Sequence, residues 1–289
     1  MNGDTAAGPA VFGAQIQGER PYQEDAFDTL VVDELRGPFI AALADGMGGH
    51  AAGDVAAELA VTTFFDRLRS VLTAGSSSVP LFEDACLAAN EAIGAHSSAH
   101  PDTSGMGTTF IGVELLDHGV RWISVGDSIV YLVGAQEIER VNADHSMAPR
   151  LDAAARRGEI SFAEAAASPS RSALISAVTG DEISRIDFPA QPRPMAADDW
   201  LVVASDGLDT LGAAEVARIV REAGHKGDAQ AVCKSLLDTI TEVARPNQDN
   251  TTVIALRKPS LASIQESNAG VSSPETASDQ VITRPIPNR

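Results

Sequence analysis

The sequence predicts an α+β protein built around one principal domain, and three observations carry that expectation. Its helical periods come in adjacent pairs, and its strand-like runs follow one another instead of alternating with helices. No linker or internal repeat interrupts residues 9–258. In chain order, 51–72 and 81–96 place apolar residues at three- and four-residue spacing and read as helices. The runs 108–116, 120–126, 129–134 and 137–142 are short, β-branched and punctuated by glycine, which predicts an antiparallel meander. An Ala- and Arg-rich stretch from Ser146 to about 168 reads as partly exposed helix. Residues 200–207 form a buried strand, 213–223 and 229–244 two helices, and 250–257 a closing strand. Residues 1–8 are expected to be flexible. Residues 259–289, rich in Ser, Pro, Thr and Ala, bury too little apolar surface to offset their ordering entropy and read as a disordered tail.

Composition excludes several classes. The 289 residues carry 21 Lys+Arg against 40 Asp+Glu, a formal net charge of −19, with 44% hydrophobic residues. Nucleic acids and anionic membrane surfaces select basic patches, so neither is an expected partner. No apolar run approaches the roughly 18 residues of a membrane span. The first twenty residues lack the basic region and apolar core of a secretory signal, and residue 2 is Asn, not the Gly of a myristoylation site. Cys86 and Cys233 cannot make a disulfide framework and suit a reducing compartment. The expectation is a cytoplasmic monomer.

Most of the acids fall on helix faces, where solvation explains them. Asp45 instead follows FIAALA, Asp127 follows WISVG, Asp206 follows WLVVAS, and Asp249 precedes NTTVIAL. Glu24 and Asp25 precede AFDTLVV. Each stands at the end of a strand-like run, where a rigid sheet can hold carboxylates in place. Turn formation is the plain alternative for any one of these aspartates, and recurrence in one context weighs against it. Convergence would require cations, since two carboxylates 4 Å apart repel by roughly 4 kcal/mol at an effective dielectric near 20. Oxygen ligands without histidine select Mg²⁺ or Mn²⁺ over Zn²⁺, with Ca²⁺ a weaker candidate. Pairs of such ions suit phosphoester hydrolysis. Arg20, four residues before Glu24, could fork onto a phosphate or simply pair at the surface.

Competing chemistries fail on spacing. A cysteine-nucleophile phosphatase needs Arg six residues after Cys, but Ala92 follows Cys86 and Thr239 follows Cys233 at that distance. There is no Walker loop, HExxH or GxSxG. GMGGHA (46–51) fits a dinucleotide fingerprint, yet Asp45 before it would repel a pyrophosphate. His96 and His100 have helical ligand spacing but read as a helix end.

The blocks RPYQEDAF (20–27), ADGMGGHAAGDVAA (44–57), GMGTTFIGV (105–113), SVGDS (124–128), ADHS (143–146), ASDGL (204–208) and QDNTTVIAL (248–256) occur in an order that resembles the metal-dependent protein phosphatases of type 2C, in their bacterial form. The resemblance covers roughly residues 11–257. It implies an antiparallel β-sandwich of two sheets flanked by pairs of helices, in α-β-β-α layers, as a phosphatase domain over 9–258. It implies a phosphoserine/phosphothreonine phosphatase that uses a water held between two Mg²⁺ or Mn²⁺ ions. By position, Asp45 bridges both ions and the Gly46 carbonyl binds one of them. By the same resemblance Asp206 and Asp249 complete the first ion's set of ligands, Glu24 holds the second ion directly or through water, Asp25 supports it, and Arg20 holds the phosphate. Asp127 with Asp206 matches a third metal site. Ile129 stands where the family usually has Arg, and Thr210 where it often has an acid, with Asp209 displaced by one. Those departures bear on the third metal and leave the two-metal set intact. Met47 replaces the histidine of eukaryotic relatives, which leaves the general acid unassigned. The stretch 147–180 corresponds to the family's variable flap. Expected partners are phosphorylated proteins, among them a serine/threonine kinase. A catalytically idle metal-binding scaffold and a phosphatase of small phosphoesters are the alternatives.

Overall fold

The computed structural model describes residues 11–31, 39–48, 52–72, 81–116, 119–196, 198–224 and 228–257. The expected loose start (1–8) and tail (259–289), and residues 49–51 of the glycine-rich block, lie outside the described residues. Strands β1 (Val11–Ile16), β2 (Asp25–Val31) and β3 (Phe39–Met47) precede a helix pair, α1 (Gly53–Leu72) and α2 (Leu81–Ala99). Then come β4 (Gly107–Thr108), β5 (Phe110–Leu116), β6 (Gly119–Val125), β7 (Ile129–Val133) and β8 (Ile138–Arg140). Two short helices, α3 (Ala148–Arg156) and α4 (Phe162–Ala167), lead to β9 (Trp200–Ala204). A 3-10 turn (Asp206–Thr210), α5 (Ala213–Gly224), α6 (Ala229–Val243) and β10 (Thr251–Leu256) complete the described chain.

Two antiparallel sheets result, one ordered β1-β10-β9-β7-β8 and the other β2-β3-β5-β6, with β4 paired to β3. The α+β, four-layer expectation is met. Strand periodicity shows why the layers form. On β3, Ile40, Ala42 and Ala44 pack with Phe64, Phe65 and Phe82 of α1 and α2, while Phe39, Ala41 and Leu43 face the opposite sheet. On β9, Val202 and Ala204 pack with Val220 and Leu236 of α5 and α6, while Leu201 and Val203 turn inward. Both faces of these central strands are buried, so their sequences read as continuous apolar runs. Fully burying one such side chain contributes roughly 1.5–3 kcal/mol.

The expected meander over 108–142 is corrected by the sheet order. Strands β5 and β6 pair in one sheet, and β7 and β8 pair in the other. The chain changes sheet across Gly126–Asp127–Ser128. Gly126 has φ +100, and a Cβ there would lie 2.7 Å from atoms of Thr109, so glycine alone fits the corner. A Gly-Asp-Ser connection looks locally like a hairpin turn. The pairing of β7 with β9, Ile129 opposite Ala204, decides otherwise. The strand expected over 200–207 ends at Ala204, and Asp206 opens the 3-10 turn.

The stretch 147–180 folds back onto the sandwich. Ser161 and Glu164 form a capping box at α4. Val178 and Thr108 exchange backbone hydrogen bonds, 2.9 Å each. On α2, buried Asn90 receives the amides of Thr179 and Gly180 and donates to the Asp181 carbonyl. Among the described residues, no helix is long and apolar enough to cross a membrane.

Candidate metal centre

Strand register places the first two carboxylates. Asp25 opens β2 directly opposite Asp45 of β3. Ala44 faces the helices, so its neighbour Asp45 lies on the face toward the other sheet, and Asp25 lies beside it. Across the interior, Ser205 follows Val203 and Thr252 precedes Ile254 on that same inward parity. Both hydroxyls donate to Asp25 Oδ2 at 2.8 Å. Asp25 therefore ties the two sheets together at one rim of the sandwich. The Asp45 backbone is fixed too, its amide donating to Thr109 Oγ1 and its carbonyl accepting from Thr109 N and Thr108 Oγ1.

The loop before β2 brings Glu24 to the same rim. Asn250, buried at the start of β10, accepts the Glu24 amide at 2.9 Å and donates to the carbonyls of Gln17 and Tyr22 at 2.7 and 2.9 Å. The Glu24 carbonyl accepts from Gly46 N at 3.0 Å. A Cβ on Gly46 would stand 2.6 Å from that carbonyl oxygen and would collide with the Gly53 carbonyl. A Cβ on Gly53 would stand 2.5 Å from Glu24 Oε1. These two glycines let the Glu24 loop, the end of β3 and the start of α1 meet at backbone contact.

The opposite sheet contributes Asp206 and Asp249, and the corner between sheets contributes Asp127. Arg140 holds the Asp127 carbonyl at 2.7 Å. Asp249 accepts the Asn250 amide on one oxygen and the Arg20 guanidinium on the other, at 2.8 and 2.6 Å. That ion pair is partly exposed and contributes about 1 kcal/mol or less. The sequence left Arg20 between a phosphate fork and a surface ion pair, the resemblance assigned it to phosphate, and in the structure its partner is the Asp249 carboxylate.

The electrostatics join these acids into one group. Burial, followed by the charges of Asp25, Asp206, Asp127 and Asp249, pushes Asp45 well above the ordinary carboxylate range. Burial, with Asp127 and Asp249 adding to it, raises Asp206 to about 7. Burial raises Asp25 to about 6 against the opposing hydroxyls of Thr252 and Ser205. Asp127 rises to about 6 through burial and the charge of Asp144. Glu24 is raised by burial, with Arg20 opposing.

The donor chemistry fits hard divalent cations. Glu24 Oε1 and Asp25 Oδ1 are buried without a hydrogen-bond partner. Carboxylates that raise one another's pKa are those a cation would stabilise. Among the described residues, no three acids, histidines or cysteines are set to hold a metal ion as they stand. His96 and His100 stack their rings, centroids 4.2 Å apart, far from ligand geometry, and His100 Nδ1 contacts the His96 carbonyl.

The residues that sequence reasoning passed over are the polar supports: Ser205, Thr252, Asn250, Thr109 and Gln248. A signal was present, because a hydroxyl or amide residue lies next to, or within a few residues of, most of the acids, as in SDG, QDNTT and GDS. The two departures from the family pattern also find structural roles. Ile129 is core, 1% exposed, and the Thr210 hydroxyl donates to Gln248 Oε1.

Fold and site together define a four-layer α-β-β-α protein with a carboxylate group at one end of its sandwich. Residues 13–243 match the family model described as Protein phosphatase 2C, and the chain belongs to that family. It is 34% identical over 175 residues to the serine/threonine phosphatase stp of Listeria monocytogenes, covering 60% of this chain and 67% of the relative. It is 33% identical over 172 residues to the serine/threonine protein phosphatase PstP of Mycobacterium tuberculosis, again 60% of this chain but 32% of that longer relative. The chain thus spans about a third of the length of the mycobacterial protein. Its fold is similar to the crystal structure of the M. tuberculosis phosphatase, with TM-score 0.66, 26% identity, and coverage of 86% of this chain and 98% of that one. It is similar also to the PstP catalytic domain in complex with two manganese ions, at TM-score 0.64, 26% identity, and coverage of 85% and 96%.

Proposed function

We propose that this chain hydrolyses phosphoserine and phosphothreonine in proteins, using two Mg²⁺ or Mn²⁺ ions. The observation that carries the reading is the buried group Asp25, Asp45, Asp127 and Asp206, with all four carboxyls raised and orphaned oxygens on Asp25 and Glu24. Burying so many acids without a counter-charge is costly, and cations would offset that cost. Family membership and the manganese complex of PstP support it.

Asp45, the Gly46 carbonyl, Asp206 and Asp249 would hold one ion. Glu24 and Asp45 would hold the second, with Asp25 supporting and Asp127 with Asp206 available to a third. Bound there, the ions supply positive charge and lower the pKa of water for in-line attack on phosphorus. The chain's own residues position that chemistry. Asp25 fixes the sheet-to-sheet distance through Ser205 and Thr252, Asn250 fixes the Glu24 loop, and Arg20, held at the rim by its pair with Asp249, would turn its remaining guanidinium donors to the phosphate. Natural substrates on this reading are cytoplasmic phosphoproteins, among them a serine/threonine kinase, in a signalling role for a monomeric enzyme. The scaffold alternative rested on Ile129 and Thr210, and both have structural explanations.

Hydrolysis of a phosphopeptide panel and of a small aryl phosphate, with and without Mn²⁺, tests the proposal. Turnover should require the metal and vanish in Asp45→Asn. Full activity after exhaustive chelation, or undiminished turnover by Asp45→Asn, would refute it. Preference for the aryl phosphate over every phosphopeptide would shift the substrate class to small phosphoesters.

A further inference from the structure

Asp206 and Asp249 belong to separate loops, one after β9 and one before β10, and a single buried amide spans them. Gln248 is 7% exposed. Its Nε2 donates to the Gly207 carbonyl at 3.1 Å, the Asp249 carbonyl at 3.2 Å and Thr251 Oγ1 at 3.1 Å. Its Oε1 accepts the Thr210 hydroxyl at 2.5 Å. One side chain thereby grips both ends of the 3-10 turn that begins at Asp206 and the backbone of Asp249 itself. The packing beneath is tight, since a Cβ on Gly207 would collide with the Asn250 carbonyl and Thr251 Oγ1. The Gln248 backbone adds a third loop, its carbonyl accepting the Glu19 amide at 2.8 Å beside Arg20.

We infer that Gln248, engaged by Thr210, is the positioning residue that sets the spacing of Asp206 and Asp249 and so tunes the affinity of the cation they share. The inference rests on the two-metal reading above. An amide suits the place because it offers donors to two carbonyls and an acceptor to a hydroxyl while remaining neutral. A carboxylate would keep the Thr210 contact, face the two carbonyl oxygens without a proton to give, and add charge to an already repelling pair. Thr210 completes the device. Where the family often has an acid, its hydroxyl donates to the amide oxygen and fixes which end of the amide faces it. Partners that orient a ligand typically change metal affinity by 10–100-fold when removed.

The test is Mn²⁺ binding by titration calorimetry, with thermal unfolding measured on the same samples. Gln248→Met keeps the volume and removes all four polar contacts. The expected result is Mn²⁺ affinity lowered about tenfold, with kcat restored by raising the metal concentration and KM for an aryl phosphate unchanged. Thr210→Val removes one contact, and a loss of about threefold is expected; it carries the test if Gln248→Met does not fold. A lower melting temperature with unchanged Mn²⁺ affinity in the folded variant would make Gln248 a structural residue only and overturn the inference. Failure of the wild-type protein to bind Mn²⁺ would instead overturn the two-metal reading itself.

Discussion

Proton release from the carboxylate group should make the metal-free protein less stable as pH rises, and Mn²⁺ should reverse that trend. An unfolded aspartate titrates near 3.9, whereas Asp206 is raised to about 7 and Asp25 and Asp127 to about 6. Between these values the folded chain holds protons that the unfolded chain has released. Stability from these groups is therefore fully present below about pH 4 and is lost as pH climbs through 6 and 7. Asp206 alone, moved from 3.8 to about 7, corresponds to about 4 kcal/mol. The neighbouring acids titrate with it as one system, so their contributions do not simply add. His145, lowered by burial, opposes the trend below its ordinary pKa but is a single group. Above pH 5.5 only the last ~1.5 pH units of that titration remain, about 2 kcal/mol, which against a total stability of roughly 5–15 kcal/mol shifts the melting temperature by about 5 °C. The assay is thermal unfolding in chelator from pH 5.5 to 8.0, repeated with saturating Mn²⁺. The melting temperature should fall with pH in chelator and hold or rise with metal, because cations and protons compete for the same oxygens. In Asp206→Asn the chelator slope should flatten. A melting temperature that rises with pH in chelator, or parallel curves with and without metal, would refute the reasoning.

Two substitutions probe metal binding and stability at the rim. In Gly53→Ala the new methyl would press on Glu24 Oε1 and crowd the Gly46 backbone, so Mn²⁺ affinity should fall severalfold and the melting temperature should fall with it; calorimetry and thermal unfolding on one sample check both signs. Ile129→Arg, which restores the residue usual in the family, places a charge where Ile129 is 1% exposed opposite Ala204. It should cost about 2 kcal/mol or more in urea unfolding.

Helix positions were legible because α1, α2, α5 and α6 carry their own apolar periods, and each lies where its period placed it. The carboxylates were legible because Asp45, Asp206 and Asp249 each border a long apolar run. What the sequence could not show was nonlocal. Nothing in Gly126–Asp127–Ser128 tells a hairpin from a corner, because the choice rests on β7 finding β9, some seventy residues away. The supporting polar residues were hidden for a related reason. Ser, Thr, Asn and Gln beside an acid occur in ordinary turns, and only the folded sandwich shows Ser205 and Thr252 reaching across to Asp25, some two hundred residues earlier in the chain. Ile129 and Thr210 stand out in the sequence as departures from a family pattern that bear on a third metal. Their surroundings show one filling the core and the other closing a hydrogen-bond circuit.

The position of the site follows from where this fold can tolerate charge. Glu24, Asp25 and Asp45 belong to one sheet and its entry loop, and Asp206 and Asp249 to the loops of the other, so no single sheet can assemble the group. The sheets meet through an apolar layer of Leu43, Val113, Leu201, Val203 and Ile254, and that layer forces the acids to its rim. Hydrophobic docking is thus what brings the like charges together, and the Asp25 bridge to Ser205 and Thr252 is where the opposing tendencies meet. Docking without cations leaves Asp45 protonated or repelling; on the reading proposed above, docking with them would turn the same carboxylates into ligands. Folding and metal binding would then be linked through one rim, and the −19 charge of the chain would matter for chemistry there, where divalent ions would change the local sign and admit an anionic phosphate.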